Sequence, residues 1–240
     1  MKFEDSQEIL IACDANGNPV QGIDARGRES SKVERGPAHR FGITHLALTF
    51  TYKNSKNQIY LAQRAARRDD LESQRIPTPF GDFWDASGAG HYRWSDLVGN
   101  SLVDKKTRIR CELAEELGVQ VEPEAIRVVG TFGYSSLDPN YRGSRIYVKE
   151  SEVCYLAVIF GDHEPQPNSD EISKGEWIGS EALQKQAEDF VTKYVVHNDD
   201  SNIINIIIKN TDKQVSLLTP WFLIAQARFP EEIYRYWPPP

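Results

Sequence analysis

Apolar and polar residues alternate over positions 44–52 and resume the same rhythm over 58–61, with the polar Asn54-Ser-Lys-Asn57 between them. A period of two marks a strand with one buried face, so this region predicts a β-hairpin. A second hairpin is expected near the start, where residues 9–12 (ILIA) and 19–23 flank the turn-forming Asp14-Ala-Asn-Gly17. The charged run 26–35 reads as a surface connection. After a Pro- and Gly-marked loop at 76–81, residues 83–91 look extended, and 126–132, 148–160 and the segment around Glu176-Trp177-Ile178 complete the strands. Helices are read at 104–117, at about 180–189 and from Thr219-Pro220-Trp221 onward, where proline suits a first turn. The first of these has the strongest pattern. Ile109, Leu113 and Leu117 recur every four residues, Asp104 can cap the start, and Gly118 sits where a C-cap favours glycine. Strands and helices intermix without repeats or a clear linker. The pattern predicts one α/β (α+β) domain over residues 1–240, with an N-terminal hairpin extension over about 1–37.

Composition narrows the possibilities. With 40% hydrophobic and 26% charged residues, the chain has the profile of a soluble protein with a substantial core. A net charge of −7 and a pI near 5.3 give no overall basic field to attract nucleic acid or an anionic membrane. A phosphate ligand therefore calls for a local basic pocket or a metal ion. The apolar run 203–208 is far too short to span a bilayer, and the charged residues after Met1 do not read as a signal peptide. Cys13, Cys111 and Cys154 are odd in number and widely spaced, which fits reduced thiols in the cytoplasm.

The sharpest chemical signal is CELAEELGV at 111–119. On a helix, Glu112, Glu115 and Glu116 share one face while Ile109, Leu113 and Leu117 share another. Carboxylates this close repel one another unless solvent or a cation compensates. Hard oxygen ligands at such spacing suit Mg²⁺ or Mn²⁺ bridging to phosphate oxygens. A solvated acidic face is the plain alternative. The run matches the second half of the Nudix box, GX5EX7REUXEEXGU, where U is a bulky aliphatic residue. The first half is degenerate, since strict spacing puts Leu97, Val103 and Cys111 where glycine, glutamate and arginine are expected. Gly99, Asp104 and Arg110 lie close by, and Gly90 serves as the opening glycine if the loop carries an insertion.

A second constellation combines His39 and His45 in AHRFGITHLAL, His91 in WDASGAGH, and Glu150 and Glu152 in KESEVC. Glu150 and Glu152, two residues apart, fall on one face of a strand. Imidazoles and carboxylates that converge in this way make a second divalent-metal site, filled by Mn²⁺, Mg²⁺ or Zn²⁺. Taken singly, each histidine is more often structural than a ligand.

At this point the chain resembles type I isopentenyl diphosphate isomerases and the isomerase-like Nudix hydrolases related to them. The likeness runs from about Asp14 to the C-terminus through DANGNPV, HRFGITH, LAQRAARR, FWDASGAGH, CELAEELGV, FGYSSLDP, ESEVC and LTPWF, in family order. The resemblance implies a Nudix fold, a mixed β-sheet sandwiched between helices. It also implies that His39, His45, His91, Glu150 and Glu152 form the isomerase-type metal site, and that Glu116 holds Mg²⁺ on the substrate diphosphate. Arg64 and Arg68 match basic positions that grip the diphosphate, for which bidentate guanidinium pairing is well suited. Tyr134 and Trp221 match aromatics at the hydrocarbon end of the pocket, where an indole face can stabilise a carbocation.

The resemblance breaks at one place. The isomerases carry a cysteine immediately before the Gly-His pair, and here that position is Ala89. A methyl group neither donates nor accepts a proton. Glu152 keeps the other half of the proton-moving machinery, and Cys111 and Cys154 occupy other positions. The expected activity is therefore metal-dependent hydrolysis of a small-molecule diphosphate. Glu112, Glu115 and Glu116 would hold Mg²⁺ or Mn²⁺, one of them or Glu152 would act as base, and Arg64 and Arg68 would orient the phosphates. Isopentenyl diphosphate isomerisation is the second reading. The third is a catalytically silent domain that binds a diphosphate or a protein.

Overall fold

The computed structural model describes residues 8–20, 22–23, 29–65, 80–99, 101–137, 149–185, 188, 195–196, 203–206 and 218–235. At the N-terminus, strand β1 (Ile9–Ile11) pairs antiparallel with β2 (Lys32–Glu34) rather than with residues 19–23. The Asp14 turn is present, but across it only the Cys13–Pro19 bridge forms. The charged run expected to be a connection thus contributes a strand. Lys32 and Glu34 stay exposed while Val33 lies opposite Leu10, so one apolar residue is enough where backbone pairing does the rest. Helix α1 (Arg35–Phe41) follows directly and carries His39. Gly36 and Pro37 hide it in the sequence. Both sit in its first turn, where backbone N–H groups have no intrahelical partner and a missing donor costs nothing. Gly42, at φ 63°, ends it in the left-handed conformation.

The hairpin of β3 (His45–Lys53) and β4 (Gln58–Arg64) forms as the alternation predicts. The extended stretch after it divides into β5 (Trp84–Asp85) and β6 (Gly88–His91). Between them the Ser87 hydroxyl donates to the Tyr60 carbonyl and accepts the Tyr52 N–H, fixing the bend. Helix α2 (Lys105–Leu117) keeps its expected caps: the Asp104 carboxylate accepts the Thr107 N–H at 3.1 Å, and Gly118 closes the end at φ 64°. Strands β7 (Ile126–Leu137), β8 (Lys149–Phe160) and β9 (Ile172–Gly179) come next. Residues 180–185 and 188 are helical within the stretch read as a helix. Two short strands, β10 (Val195–Val196) and β11 (Ile203–Ile206), precede α3 (Pro220–Arg228) and α4 (Pro230–Tyr234).

Among the described residues, nine strands join one mixed sheet in the order β9-β4-β3-β8-β7-β11-β10, with β5 on β4 and β6 on β3. β3 and β8 run parallel, whereas β7–β8 and β3–β6 are antiparallel. Alternation along the strands divides the apolar residues between two cores. On one face Leu46, Leu48, Phe50, Val153 and Tyr155 pack with Ile109, Leu113 and Leu117 of α2. On the other, Ala47, Phe132, Tyr134, Cys154 and Leu156 pack with Trp221 to Ala225 of α3. This is the α+β sandwich expected from the sequence. Buried Lys53 fastens the last helix, donating to the Ile233 and Arg235 carbonyls at 2.7 and 3.0 Å. No helix among the described residues is long and apolar enough to cross a membrane.

Helix α2 lies close under β6. A Cβ added at Gly88 would run into the Phe50 ring and the Glu116 carboxylate. Gly88→Ala is therefore expected to destabilise the protein by about 1–3 kcal/mol in urea unfolding, the usual cost of overpacking. An unchanged midpoint would show that α2 does not press on β6.

Candidate functional site

Pairing register places the central side chains in a row. Tyr134 of β7 lies opposite Glu152 of β8, Glu152 lies opposite His45 of β3, and the neighbouring Ala47 lies opposite His91 of β6. Residues opposite one another on adjacent strands project from the same face about 5 Å apart. His39 joins them from α1. The three imidazole centroids stand 5.1–5.4 Å apart, and ligand atoms of His39, His45, His91 and Glu152 all lie within 4.8 Å of one another. Glu150 lies in the same strand, opposite Ser136, and its side chain is outside the described residues.

The polar bonds of this cage prepare it for a cation. The His45 Nδ1–H donates to the Ile43 carbonyl at 2.8 Å, so in the neutral ring Nε2 turns its lone pair toward Glu152 Oε1, 3.4 Å away. Two acceptors then face each other at 3.4 Å, and a proton or metal ion is what reconciles them. His91 Nε2 reaches the same oxygen at 3.2 Å. The other oxygen accepts from the Tyr134 hydroxyl at 2.8 Å and the Cys154 thiol at 3.4 Å. Burial holds the His39 ring well below its ordinary pKa, helped by the positive charge that His45 would carry, and burial likewise lowers His91. For Glu152, burial raises the carboxyl, but the His45 and His91 contacts outweigh it and hold it well below the usual range. Neutral His39 and His91 rings beside an ionised carboxylate are protonation states that suit a metal. Three imidazoles and one carboxylate suit Zn²⁺ or Mn²⁺ better than Mg²⁺.

The acidic helix lies behind this cage. Strand β6 alternates, so Gly88 and Gly90 face α2 while Ala89 and His91 face the cage. A Cβ at Gly90 would meet the Glu112 carboxylate, as one at Gly88 meets Glu116. Glu116 is buried and accepts the Ala89 N–H at 3.3 Å. Burial pushes its carboxyl well above the usual range, Glu171 adds to this, and Arg64 opposes it. Glu112 is paired with Arg108, one turn before it, and exposed Glu115 lies 3.3 Å from Arg93. Arg108 also meets Asp96 at 3.2 Å and donates to the His91 carbonyl. The compensation expected from solvent or a cation thus comes, for Glu112 and Glu115, from guanidinium groups. Sequence reasoning did not single out Arg93 or Arg108, although the i, i+4 spacing of Arg108 and Glu112 was a visible signal. Among the described residues the three helix glutamates are not gathered into one ligand group, whereas the His/Glu cage is. Leu97 and Val103, standing at box positions for glycine and glutamate, pack against the α2 core, and Cys111 is exposed.

A small pocket, partly open to solvent, is lined by Ala89, His91, Glu152 and Tyr134 together with Arg35, Arg64 and Trp221. Arg35, one turn ahead of His39, is a lining residue the motifs did not flag. The Arg64 guanidinium lies over the Trp221 ring, 5.2 Å from its centroid, and meets buried Asp85 at 3.0 Å. Tyr134 stands beside Trp221 with ring centroids 5.8 Å apart. Arg68 lies outside the described residues.

This α+β sandwich, with an acidic helix beneath the strand that carries His91, resembles the Nudix superfamily, as the motifs implied. The NUDIX domain of Shewanella oneidensis NrtR, solved with ADP-ribose, aligns with 58% of this chain and 75% of its own, at 17% identity and a TM-score of 0.37. The particular likeness is to isopentenyl diphosphate isomerases. The Delta-isomerase of Haloarcula marismortui is 28% identical over 175 residues, covering 70% of this chain and 80% of its own. Human isopentenyl-diphosphate delta-isomerase 2 is 22% identical over 239 residues, 97% of this chain and 85% of its own. No family model matches the chain.

In a calorimetric titration, Mn²⁺ or Zn²⁺ is expected to bind, and His91→Ala to weaken that binding by at least tenfold, on the order of losing support for one ligand. Acidification should release the ion at a pH under the ordinary imidazole value of about 6.5, since burial lowers His39 and His91 and protons compete for the same lone pairs. Undiminished affinity in the variant would place the ion elsewhere.

Proposed function

We propose that the protein is a cytoplasmic, metal-dependent Nudix hydrolase that cleaves the diphosphate bond of a small molecule. The observation that carries this reading is Ala89, a methyl group in the pocket wall where proton transfer to an alkene needs an ionisable side chain. The covered face of Trp221 agrees with it. A guanidinium 5.2 Å from the ring centre takes up the quadrupole and repels any carbocation placed nearby.

In the proposed reaction, a water oxygen bonds to phosphorus and the bridging oxygen leaves with the other phosphate. Arg35 and Arg64, both lining the pocket, neutralise and orient the phosphates. Glu116 accepts the water proton. Burial raises its carboxyl above the usual carboxylate range, with Glu171 adding to this and Arg64 opposing it, so that it is a stronger proton acceptor when ionised. Tyr134 keeps Glu152 oriented within the cage. A divalent ion held by His39, His45, His91 and Glu152, and Mg²⁺ on the diphosphate, would supply charge neutralisation and a more acidic water.

The second reading is isopentenyl diphosphate isomerisation, favoured by the relatives named above and by Glu152 with its Tyr134 and Cys154 contacts. Phosphorus and proton NMR with Mg²⁺ and Mn²⁺ separates the two. Isopentenyl diphosphate and nucleoside diphosphate compounds are the substrates to offer. New phosphate signals support hydrolysis; a migrating double bond with the diphosphate intact overturns it. Glu116→Gln is expected to lower turnover about 10²–10⁴-fold, the span of general-base contributions, with Mn²⁺ affinity of the cage retained. Turnover at the parent level would remove Glu116 from the chemistry. Isomerisation gained by Ala89→Cys would show a site otherwise built for the second reading.

A further inference from the structure

Asp85 has no part in the metal cage or in the hydrolytic scheme, yet it is almost wholly buried and bonded on both oxygens. Its Oδ1 accepts from the Thr219 hydroxyl at 2.9 Å and from the Trp221 indole N–H at 2.7 Å. Its Oδ2 accepts from Arg64 Nη1 at 3.0 Å. A carboxylate is withdrawn from water at high cost unless donors replace the lost hydration, and three donors do so here. They come from two separate elements. Arg64 ends β4, while Thr219 and Trp221 open α3, whose start is also tied to β5 by the Thr219 N–H to the Trp84 carbonyl at 2.8 Å.

We propose that Asp85 is a positioning residue that fixes the Arg64 guanidinium against the Trp221 ring and so sets the protein's affinity for a diphosphate group. The inference rests on the reading of Arg64 as a phosphate ligand. Arg64 is a long side chain with substantial rotamer freedom when it has no fixed partner. Asp85 holds its edge and the indole supports its plane, so the fork is in place before an anion arrives and little ordering remains to oppose binding. The same carboxylate that fixes the cation also fixes the ring beneath it. One residue therefore orients the phosphate end and the aromatic wall of the pocket together.

The test is a double-mutant cycle read by equilibrium binding, with inorganic pyrophosphate and Mg²⁺ titrated calorimetrically into the full chain. Asp85→Asn is nearly isosteric. Its amide oxygen can still serve Thr219 and Trp221, while its NH₂ faces Arg64 Nη1, donor against donor. It should weaken pyrophosphate about tenfold, the scale of one lost charge-assisted hydrogen bond. On an Arg64→Ala background the same change should alter affinity by less than about twofold, because the residue through which it acts is gone. Equal losses on both backgrounds would make Asp85 merely structural and overturn the proposal, as would parent-level affinity in Asp85→Asn. Should Asp85→Asn fail to fold, Asp85→Ser, small enough to admit a water, enters the same cycle with the same criteria. If the parent protein itself does not bind pyrophosphate, the diphosphate reading falls and this inference with it. If the parent binds and the cycle is additive, only this inference falls.

Discussion

The architecture of the site follows from one constraint, an ionised carboxylate, Glu152, at the centre of a sheet where little of it meets water. An isolated charge in such a place would be costly enough to change its protonation instead. Here both oxygens are occupied, one by His45 and His91 and the other by Tyr134 and Cys154. Those partners come from β3, β6, β7 and β8 itself, so the parallel pairing of β3 with β8 and the antiparallel pairing around them are needed together. Slip any one strand by a residue and the charge loses a partner. The polar centre thus helps specify the register that the apolar residues alone would specify less firmly.

The acidic helix solves a different electrostatic problem in a different way. Glu112 and Glu115 lie against Arg108 and Arg93, which in turn reach Asp96 and Glu8, so their charge is spread through an ion-pair network at the pocket's back. Among the described residues Glu116 has no guanidinium paired directly with it, and burial holds its carboxyl above the usual range, making it a stronger proton acceptor when ionised. Helix residues of one type, a few positions apart, thereby acquire unlike chemical character from their surroundings.

What the sequence disclosed and what it hid follow the range of the interactions involved. Helix α2 was legible to its caps, because Asp104, the four-residue spacing of Ile109, Leu113 and Leu117, and Gly118 all act within a turn or two. The hairpin of β3 and β4 showed itself through period-two alternation. The gathering of His39, His45, His91 and Glu152 could be suspected from residue type and family likeness but not from spacing, since nothing local relates a histidine in α1 to a glutamate more than a hundred positions later. Helix α1 was masked by Gly36 and Pro37, which suggest a break unless one knows that they occupy a first turn. Strand β2 was masked by its charges. Arg93, Arg108 and Asp85 act through contacts between elements, and no spacing rule brings Asp85 to Trp221.

Strand β6 is four residues long and addresses two compartments at once, with glycines turned to the carboxylates of α2 and Ala89 and His91 turned to the cage. It behaves as a party wall whose two sides can be altered independently by point substitution. It has no tolerance for a change in length. Inserting or deleting a single residue would exchange its sides, pressing a histidine onto the helix glutamates and leaving the cage one ligand short. Position 89 can therefore change its chemistry without touching α2, while the spacing from Gly88 to His91 is held by geometry on both sides.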